Sequence, residues 1–136
     1  MPINPPEVNL FLSSEHSVRM SGIVFFATER LEEVVDFYCE DVGASVWLEQ
    51  TDCTILQYDN LLFGFCDRET ADTEGILTFV SETNAEVDAA YEALADRADG
   101  EPHENGRYGI YHFFAEDPEG RAIEFQRFLH ETDPVE

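Results

Sequence analysis

Apolar residues along this chain alternate between the spacing of strands and the spacing of helices. Residues 21–29 (SGIVFFATE) form a compact apolar run that predicts a strand. Residues 30–43 place Leu31, Val34 and Phe37 at helical spacing before Gly43, a residue suited to end a helix. Three further runs (44–51, 53–59 and 61–68) predict strands, with Asp59-Asn60 as a two-residue hairpin turn. The pattern therefore predicts β-α-β-β-β.

The same order recurs in the second half of the chain. Residues 75–83 predict a strand, 84–100 a helix, 103–108 a short strand, and 109–129 a hairpin around the turn Asp117-Pro118-Glu119-Gly120. A repeat of about 50 residues constrains the fold more than any single element. We predict an α+β domain over 21–130, built from modules 21–70 and 74–129, with an N-terminal arm at 1–20 and an acidic tail at 131–136. Because each sheet covers one face with its helix, we expect the opposite faces to meet around a ligand cleft.

The charge balance narrows the classes of function. Thirty acidic residues oppose seven arginines, with no lysine, for a formal charge of −23. Binding of nucleic acid needs clustered cations, so that class is excluded. Eleven Phe, five Tyr and one Trp argue against disorder and favour a folded protein adapted to high salt, where repulsion between charges is screened. Because no segment resembles a signal peptide or a membrane span, we expect a cytoplasmic protein without membrane contact.

The three cysteines show no metal-binding spacing. Cys39, Cys53 and Cys66 are odd in number, lie in predicted regular structure and form no CxxC pair. We therefore expect buried, reduced thiols that act as small apolar side chains.

Two motifs inside the repeat indicate a family. Asp36-Phe37-Tyr38 with Gly43, and Asp117-Pro118-Glu119-Gly120 followed by Ile123-Glu124, resemble motifs of the vicinal oxygen chelate superfamily. That superfamily includes glyoxalase I, extradiol dioxygenases, and fosfomycin- and bleomycin-resistance proteins. The resemblance covers residues 21 to 129. It implies two βαβββ modules in a U-shaped, partly open eight-stranded barrel, and commonly a homodimer.

The resemblance also implies where a metal would bind. Metal-using members hold a divalent ion with His, Gln or Glu from the first and last strands of each module. Carried over by position, these ligands fall at Ile23, Gly75, Glu124 and within residues 61–65 (LLFGF). A divalent transition ion needs at least three good protein ligands, and only Glu124 qualifies. We therefore expect no cofactor; the alternative is a divalent metal at another position.

Strand alternation gives a map of the expected cleft. A four-residue loop at 117–120 places Phe113 opposite Glu124, and the same register places Tyr111 opposite Gln126. The residues expected to contact a ligand are Phe25, Phe79, Tyr111, Phe113 and Gln126. Glu124 is the candidate catalytic acid or base because burial raises the pKa of a carboxyl group. The alternative for Glu124 is a structural carboxylate bonded to the backbone or to an arginine.

Histidine and arginine side chains add further candidates. His112 points away from the cleft in this register, and only a bulge would bring it beside Glu124 as an acid/base partner. His16, His103 and His130 are interpreted as surface residues. Arg68 and Arg107 are candidates for gripping an anionic ligand, against the alternative of pairing with the many carboxylates.

These residues leave three hypotheses for the function. The first is a protein that binds a small, partly aromatic or apolar molecule without the family's metal, as bleomycin-resistance proteins bind their ligand. The second is a lyase, isomerase or dioxygenase-type enzyme that uses a relocated metal or Glu124 as general base. The third is a non-catalytic subunit that keeps the fold for dimerisation.

Overall fold

A computed structural model describes residues 22–135. The arm predicted for residues 1–20 lies outside the described residues, as does Glu136 at the end of the predicted tail. Residues 131–135 are exposed and form no regular structure. None of the helices in residues 22–135 is long and apolar enough to cross a bilayer.

The first module follows the predicted order. Its elements are β1 (Ile23–Thr28), α1 (Leu31–Phe37), β2 (Ser45–Glu49), β3 (Cys53–Tyr58) and β4 (Leu61–Asp67). A π-helical turn, Tyr38–Val42, extends α1 to Gly43, whose φ of 101° is readily adopted by glycine. Tyr58 pairs with Leu61, so the two-residue turn at Asp59-Asn60 is confirmed. The strands are ordered β1-β4-β3-β2, with β1 parallel to β4.

The second module repeats this arrangement. Its elements are β5 (Ile76–Val80), α2 (Asn84–Leu94), β6 (His103–Asn105), β7 (Ile110–Glu116) and β8 (Ala122–Phe128), in the sheet order β5-β8-β7-β6. The Thr83 hydroxyl accepts from the Glu86 amide and caps the start of α2, and the Glu86 carboxylate accepts from the amide of Glu82, the residue before the cap. The predicted α+β class is confirmed, and the strands of residues 22–135 form two four-stranded sheets that do not close into a barrel.

The helix-facing sides of both sheets share one core. Phe79 of β5 packs against Tyr38 and Phe63 of the first module and against Phe125 of its own sheet. The buried core includes Val34, Phe37, Leu56, Phe65, Leu77, Val87, Leu94, Phe113 and Ile123. Because this core spans both modules, neither module is complete without the other.

The faces turned away from the helices are open. Phe25 on the first sheet and Val80 on the second are about half exposed, at 47% and 53%. Every residue of β2 is exposed, including Trp47. The expectation that these faces enclose a cleft within one chain is not met, because large apolar side chains on them remain open to solvent. We call these two surfaces the open faces.

The turn Asp117–Arg121 joins the modules at one end of the core. Arg121 is buried beneath the end of β1, where it donates to the backbone oxygens of Ala27 and Asp72. Its guanidinium also lies over the rings of Phe26 and Phe65, at 5.4 and 5.2 Å. The turn that carries the second motif therefore packs on the first module.

Two of the three cysteines depart from the prediction. Cys53 and Cys66 are directly opposite each other on β3 and β4 and form a disulfide. The expectation of three reduced thiols is therefore wrong for this pair, and Cys39 alone is free. Strand pairing brought the two residues together, and their spacing in sequence did not reveal that pairing.

Candidate functional site

The register of the last hairpin differs by one residue from the prediction. Phe114 lies opposite Glu124, and His112 opposite Gln126. The loop has five residues, 117–121, because the Asp117 carboxylate accepts from the backbone amides of Glu119 and Arg121 and holds Arg121 in the turn. A shift of one residue moves every side chain of β7 to the other face. His112 therefore shares the open face with Glu124 without a bulge.

Glu124 is bonded through both of its carboxylate oxygens. His112 Nδ1 lies 2.6 Å from Oε2, and the Thr78 hydroxyl donates to Oε1 at 2.8 Å. The His112 and Glu124 side chains are only 6% and 10% exposed. A buried carboxylate requires such partners because an unpaired buried charge is costly. Within residues 22–135, the donors that face Glu124 are thus an imidazole and a hydroxyl, and neither an arginine nor a backbone amide of this part of the chain donates to it.

A pocket of about 510 Å³ opens over this pair. Its walls come from the open face of the second sheet and the loop between β6 and β7. Its lining is Asn105, Tyr108, Ile110, His112, Phe114, Glu124, Gln126 and Phe128. The volume falls within the range of roughly 300–1,000 Å³ that is typical of small-molecule sites. The lining combines aromatic and aliphatic walls with few polar groups.

Three residues expected in the cleft face the helix side instead. Phe79 and Phe113 are buried in the core at 1% exposure, and Tyr111 donates to Asp88 of α2 at 2.6 Å. This hydrogen bond raises the pKa of the Tyr111 phenol, since ionisation would place two negative charges together. The prediction that these three residues face the cleft is wrong. Thr78 of β5, rather than Phe79, lies beside Glu124.

The remaining predicted residues have separate positions. Gln126 lines the pocket with Glu124, whereas Phe25 lies on the open face of the other sheet. Arg68 pairs with Asp52 at 3.1 Å at the exposed end of β4. Arg107 lies over the ring of Tyr108, which lines the pocket, at 5.5 Å. The structure thus brings Glu124 and Gln126 together, places Arg107 next to the pocket, and leaves Arg68 paired elsewhere.

The superfamily's metal position does not fit the residues present. Carried over by position, the first-strand ligands were expected at Ile23 and Gly75. The strand pairing instead places Thr78 beside Glu124, and the matching neighbours in the first module are Phe25 and Gly64. The Phe25 ring covers Gly64 so closely that an added Cβ would lie 2.7 Å from it. Aromatic packing occupies the space that two metal ligands would need. Across residues 22–135, no group of three or more His, Cys, Asp and Glu side chains is arranged to hold a metal ion.

Solved structures share this fold. A glyoxalase/bleomycin resistance protein/dioxygenase from Nocardioides matches 88% of this chain and 91% of its own, with a TM-score of 0.66 and 16% identity. A family enzyme of the same description from Burkholderia phytofirmans PsJN matches 79% and 97%, with a TM-score of 0.68 and 20% identity. Lactoylglutathione lyase from Agrobacterium tumefaciens matches 79% and 92%, with a TM-score of 0.63 and 19% identity.

No family model matches the sequence, and no curated protein matches it closely enough to serve as a relative. The structural neighbours are glyoxalase/bleomycin resistance/dioxygenase proteins, the vicinal oxygen chelate superfamily. The chain has their fold, and the resemblance seen in its two motifs is confirmed at that level. Since a fold of this kind supports several chemistries, the activity has to be argued from the site.

Proposed function

We propose that this protein binds a small, partly apolar organic molecule in the pocket beside Glu124, without using the superfamily's metal position. The observation that carries this proposal is the lining of the pocket. Ile110, Phe114 and Phe128 offer apolar contact area, while Gln126 and Asn105 offer hydrogen-bond donors and acceptors. Pockets with apolar walls and few oriented polar groups are typical of small-molecule sites.

Both carboxylate oxygens of Glu124 accept a hydrogen bond within the protein, and each keeps a lone pair that a ligand donor could use. The Phe25–Gly64 packing supports the metal-free part of the proposal, because no donor atom is available there. We also propose a cytoplasmic location, where the Cys53–Cys66 disulfide would be an exception to the usual reduced state of thiols.

Thermal-shift screening with small aromatic and heteroaromatic compounds tests this function. The assay is run in molar KCl, and hits are checked by native mass spectrometry. We expect Gln126→Ala and Tyr108→Ala to weaken binding of a hit at least tenfold, since both residues line the pocket and are not fully buried. Arg68→Ala is the matched control. Equal loss of affinity in Arg68→Ala would place the ligand elsewhere.

The Glu124–His112 pair favours a second candidate, an enzyme that transfers protons in a lyase or isomerase reaction. When neutral His112 donates from Nδ1 to Glu124, Nε2 carries the lone pair and can act as general base. Glu124 then orients the imidazole and stabilises its charged form. In this mechanism the general base is His112, and not Glu124 as proposed from the sequence. Deuterium uptake by a bound compound in D₂O, lost in His112→Asn but retained in Arg68→Ala, would support catalysis.

A homodimer is also part of the proposal. Leu48 of β2 lies in the same row of the sheet as Ile55, Gly64 and Phe25, and Trp47 lies at the adjoining bulge. Phe25, Trp47 and Leu48 expose between 45% and 50% of their surfaces. Extended apolar surface of this kind commonly marks an interface. Light scattering in molar KCl is expected to give twice the chain mass of 15.5 kDa, and Trp47→Glu is expected to give the single mass.

A further inference from the structure

Two histidines lie directly opposite each other on neighbouring strands of the second sheet. His103 of β6 and His112 of β7 are register partners, and their ring centres are 5.0 Å apart. We propose that His103 and His112 form a transition-metal site at the outer edge of the pocket. This site is distinct from the superfamily's metal position, which lies on β1, β4, β5 and β8.

In both rings one nitrogen is already hydrogen-bonded to the protein, as is usual for imidazoles that bind metals. His112 Nδ1 bonds Glu124 Oε2, and His103 Nδ1 lies 3.1 Å from the backbone oxygen of Glu101. A backbone oxygen only accepts, so the proton of His103 is on Nδ1. In each neutral ring the lone pair is then on Nε2. Metal-ligating histidines characteristically donate their other ring nitrogen to a carboxylate or a backbone carbonyl, which fixes the tautomer and the ring orientation.

The distance between the two ring centres fits two imidazoles that bind the same metal ion. A metal about 2 Å from each imidazole nitrogen lies roughly 3.2 Å from each ring centre, so two rings bound near the tetrahedral angle have centres roughly 5 Å apart. The observed separation is 5.0 Å. The rings are tilted by 58°, so they are not stacked face to face.

The chemistry of the donors selects the metal. Imidazole suits Cu²⁺, Ni²⁺ and Zn²⁺, and among divalent ions Cu²⁺ binds tightest, whereas Ca²⁺ and Mg²⁺ prefer oxygen. Two protein ligands are fewer than the three of a typical protein metal site, so the remaining coordination positions have to be filled by water or by a bound ligand. His112 also lines the pocket, so the proposed site adjoins it. The net charge of −23 raises the local concentration of cations.

Copper titration of the metal-stripped full-length protein tests the site. Cu²⁺ is added in molar KCl, affinity is measured by competition with a chelator, and the electron paramagnetic resonance spectrum reports coupling to nitrogen. We expect one Cu²⁺ per chain, bound through two imidazole nitrogens and more strongly than Cu²⁺ at the surface carboxylates. His103→Gln should lose one nitrogen and at least tenfold in affinity, and it should fold normally because His103 is exposed. Glu124→Gln should lower the affinity by about 10–100-fold while both nitrogens remain.

His130→Gln is the matched control, since His130 is another exposed imidazole whose Nδ1 lies 3.1 Å from a backbone oxygen. It should bind copper as the unmodified chain does. The proposal is overturned if His103→Gln binds with unchanged affinity and spectrum, or if only oxygen ligands are seen. That result would leave the small-molecule proposal standing, because the apolar walls of the pocket do not depend on a metal.

Discussion

The hydroxyl of Tyr38 donates a 2.7 Å hydrogen bond to the carboxylate of Asp117, and both residues are buried. Tyr38 belongs to the first family motif and Asp117 to the second, so the two motifs meet in space across 79 positions of sequence. Arg121 Nη1 bonds the same carboxylate oxygen, also at 2.7 Å. Burial, and then the neighbouring charge of Asp117, raise the pKa of Tyr38 far above its usual value, so the phenol remains a donor. The motifs thus form the joint between the modules.

Removing this hydroxyl should destabilise the protein. We expect Tyr38→Phe to lower the free energy of unfolding by about 1.5–3 kcal/mol, the usual range for a buried hydrogen bond to a charged group. Urea denaturation in molar KCl measures the change. Tyr111→Phe is the matched control, because its hydroxyl also donates to a carboxylate but at the surface. Equal losses in the two variants would show that the Tyr38 bond has no special role as a joint.

Arg121 should contribute more to stability than any exposed arginine. Burial lowers the pKa of its guanidinium, but Asp117 and then Glu119 outweigh burial and raise the pKa, so the group remains charged. Arg121→Met leaves two buried carboxylates without their cation, and we expect a loss of about 3–5 kcal/mol in the same urea assay. Arg68→Met breaks an exposed pair and should cost less than about 1 kcal/mol. Comparable losses would contradict the assignment of the joint.

Glu119 should make stability depend on pH. Partial burial raises the pKa of Glu119, but bonds from the Thr28 hydroxyl, the Glu29 amide and Arg121 outweigh it and hold the pKa below the usual 4.5. A carboxyl group whose pKa is lower in the folded state than in the unfolded state stabilises the fold at pH values above its unfolded-state pKa. This contribution is lost as the pH falls through the folded-state pKa. The stability difference between the unmodified chain and Glu119→Gln should therefore be constant near neutral pH and shrink below about pH 4.5. Glu74→Gln, at an exposed position, should show no such trend.

The cysteines give a simple chemical test. When the unreduced protein is denatured and treated with iodoacetamide, it should gain one label, at Cys39. When it is reduced before the treatment, it should gain three labels. Burial and then the charges of Asp36 and Glu40 raise the pKa of the Cys39 thiol, so its labelling should be slower in the folded protein than in urea. Mass spectrometry of tryptic peptides reads both results. Three labels before reduction would restore the expectation of free thiols.

Salt should stabilise this chain strongly. Near 1 M KCl the Debye length falls to about 3 Å, which screens repulsion among the surface carboxylates. A gain of about 2 kcal/mol would raise the melting temperature by roughly 7 °C for a chain of this size. Scanning calorimetry in dilute buffer and in molar KCl measures the shift, with an uncharged solute at equal osmolality as the control. A melting temperature that does not respond to KCl would refute the high-salt interpretation.

Local pattern was sufficient to predict the elements but not the faces of every strand. The turn at Asp59-Asn60 and the helix end at Gly43 were predicted correctly because their residues favour those conformations. The face of β7 was wrong because its residues are apolar on both sides, so period-two alternation is absent and loop length alone sets the register. That length depends on Asp117 holding Arg121 in the turn, a set of bonds that no composition signal reveals.

Strand pairing that the sequence does not reveal also explains why His103 and His112 were not predicted to be neighbours. His103 lies in a polar segment, and only the pairing of β6 with β7 places it beside His112. The partners of Glu124 were missed for a related reason. Nothing in the sequence distinguishes Thr78 from other threonines in strands. Only the pairing of β5 with β8 shows that its hydroxyl lies 2.8 Å from the Glu124 carboxylate.

The packing of Phe25 over Gly64 limits how this chain could change. A carboxylate introduced at position 64 would collide with the Phe25 ring, because even a Cβ there would lie 2.7 Å from it. Recovering a ligand at position 64 therefore requires a second substitution that removes or moves the Phe25 ring. A single substitution at position 64 is therefore unfavourable, whereas residues that line the pocket over the second sheet can be substituted one at a time.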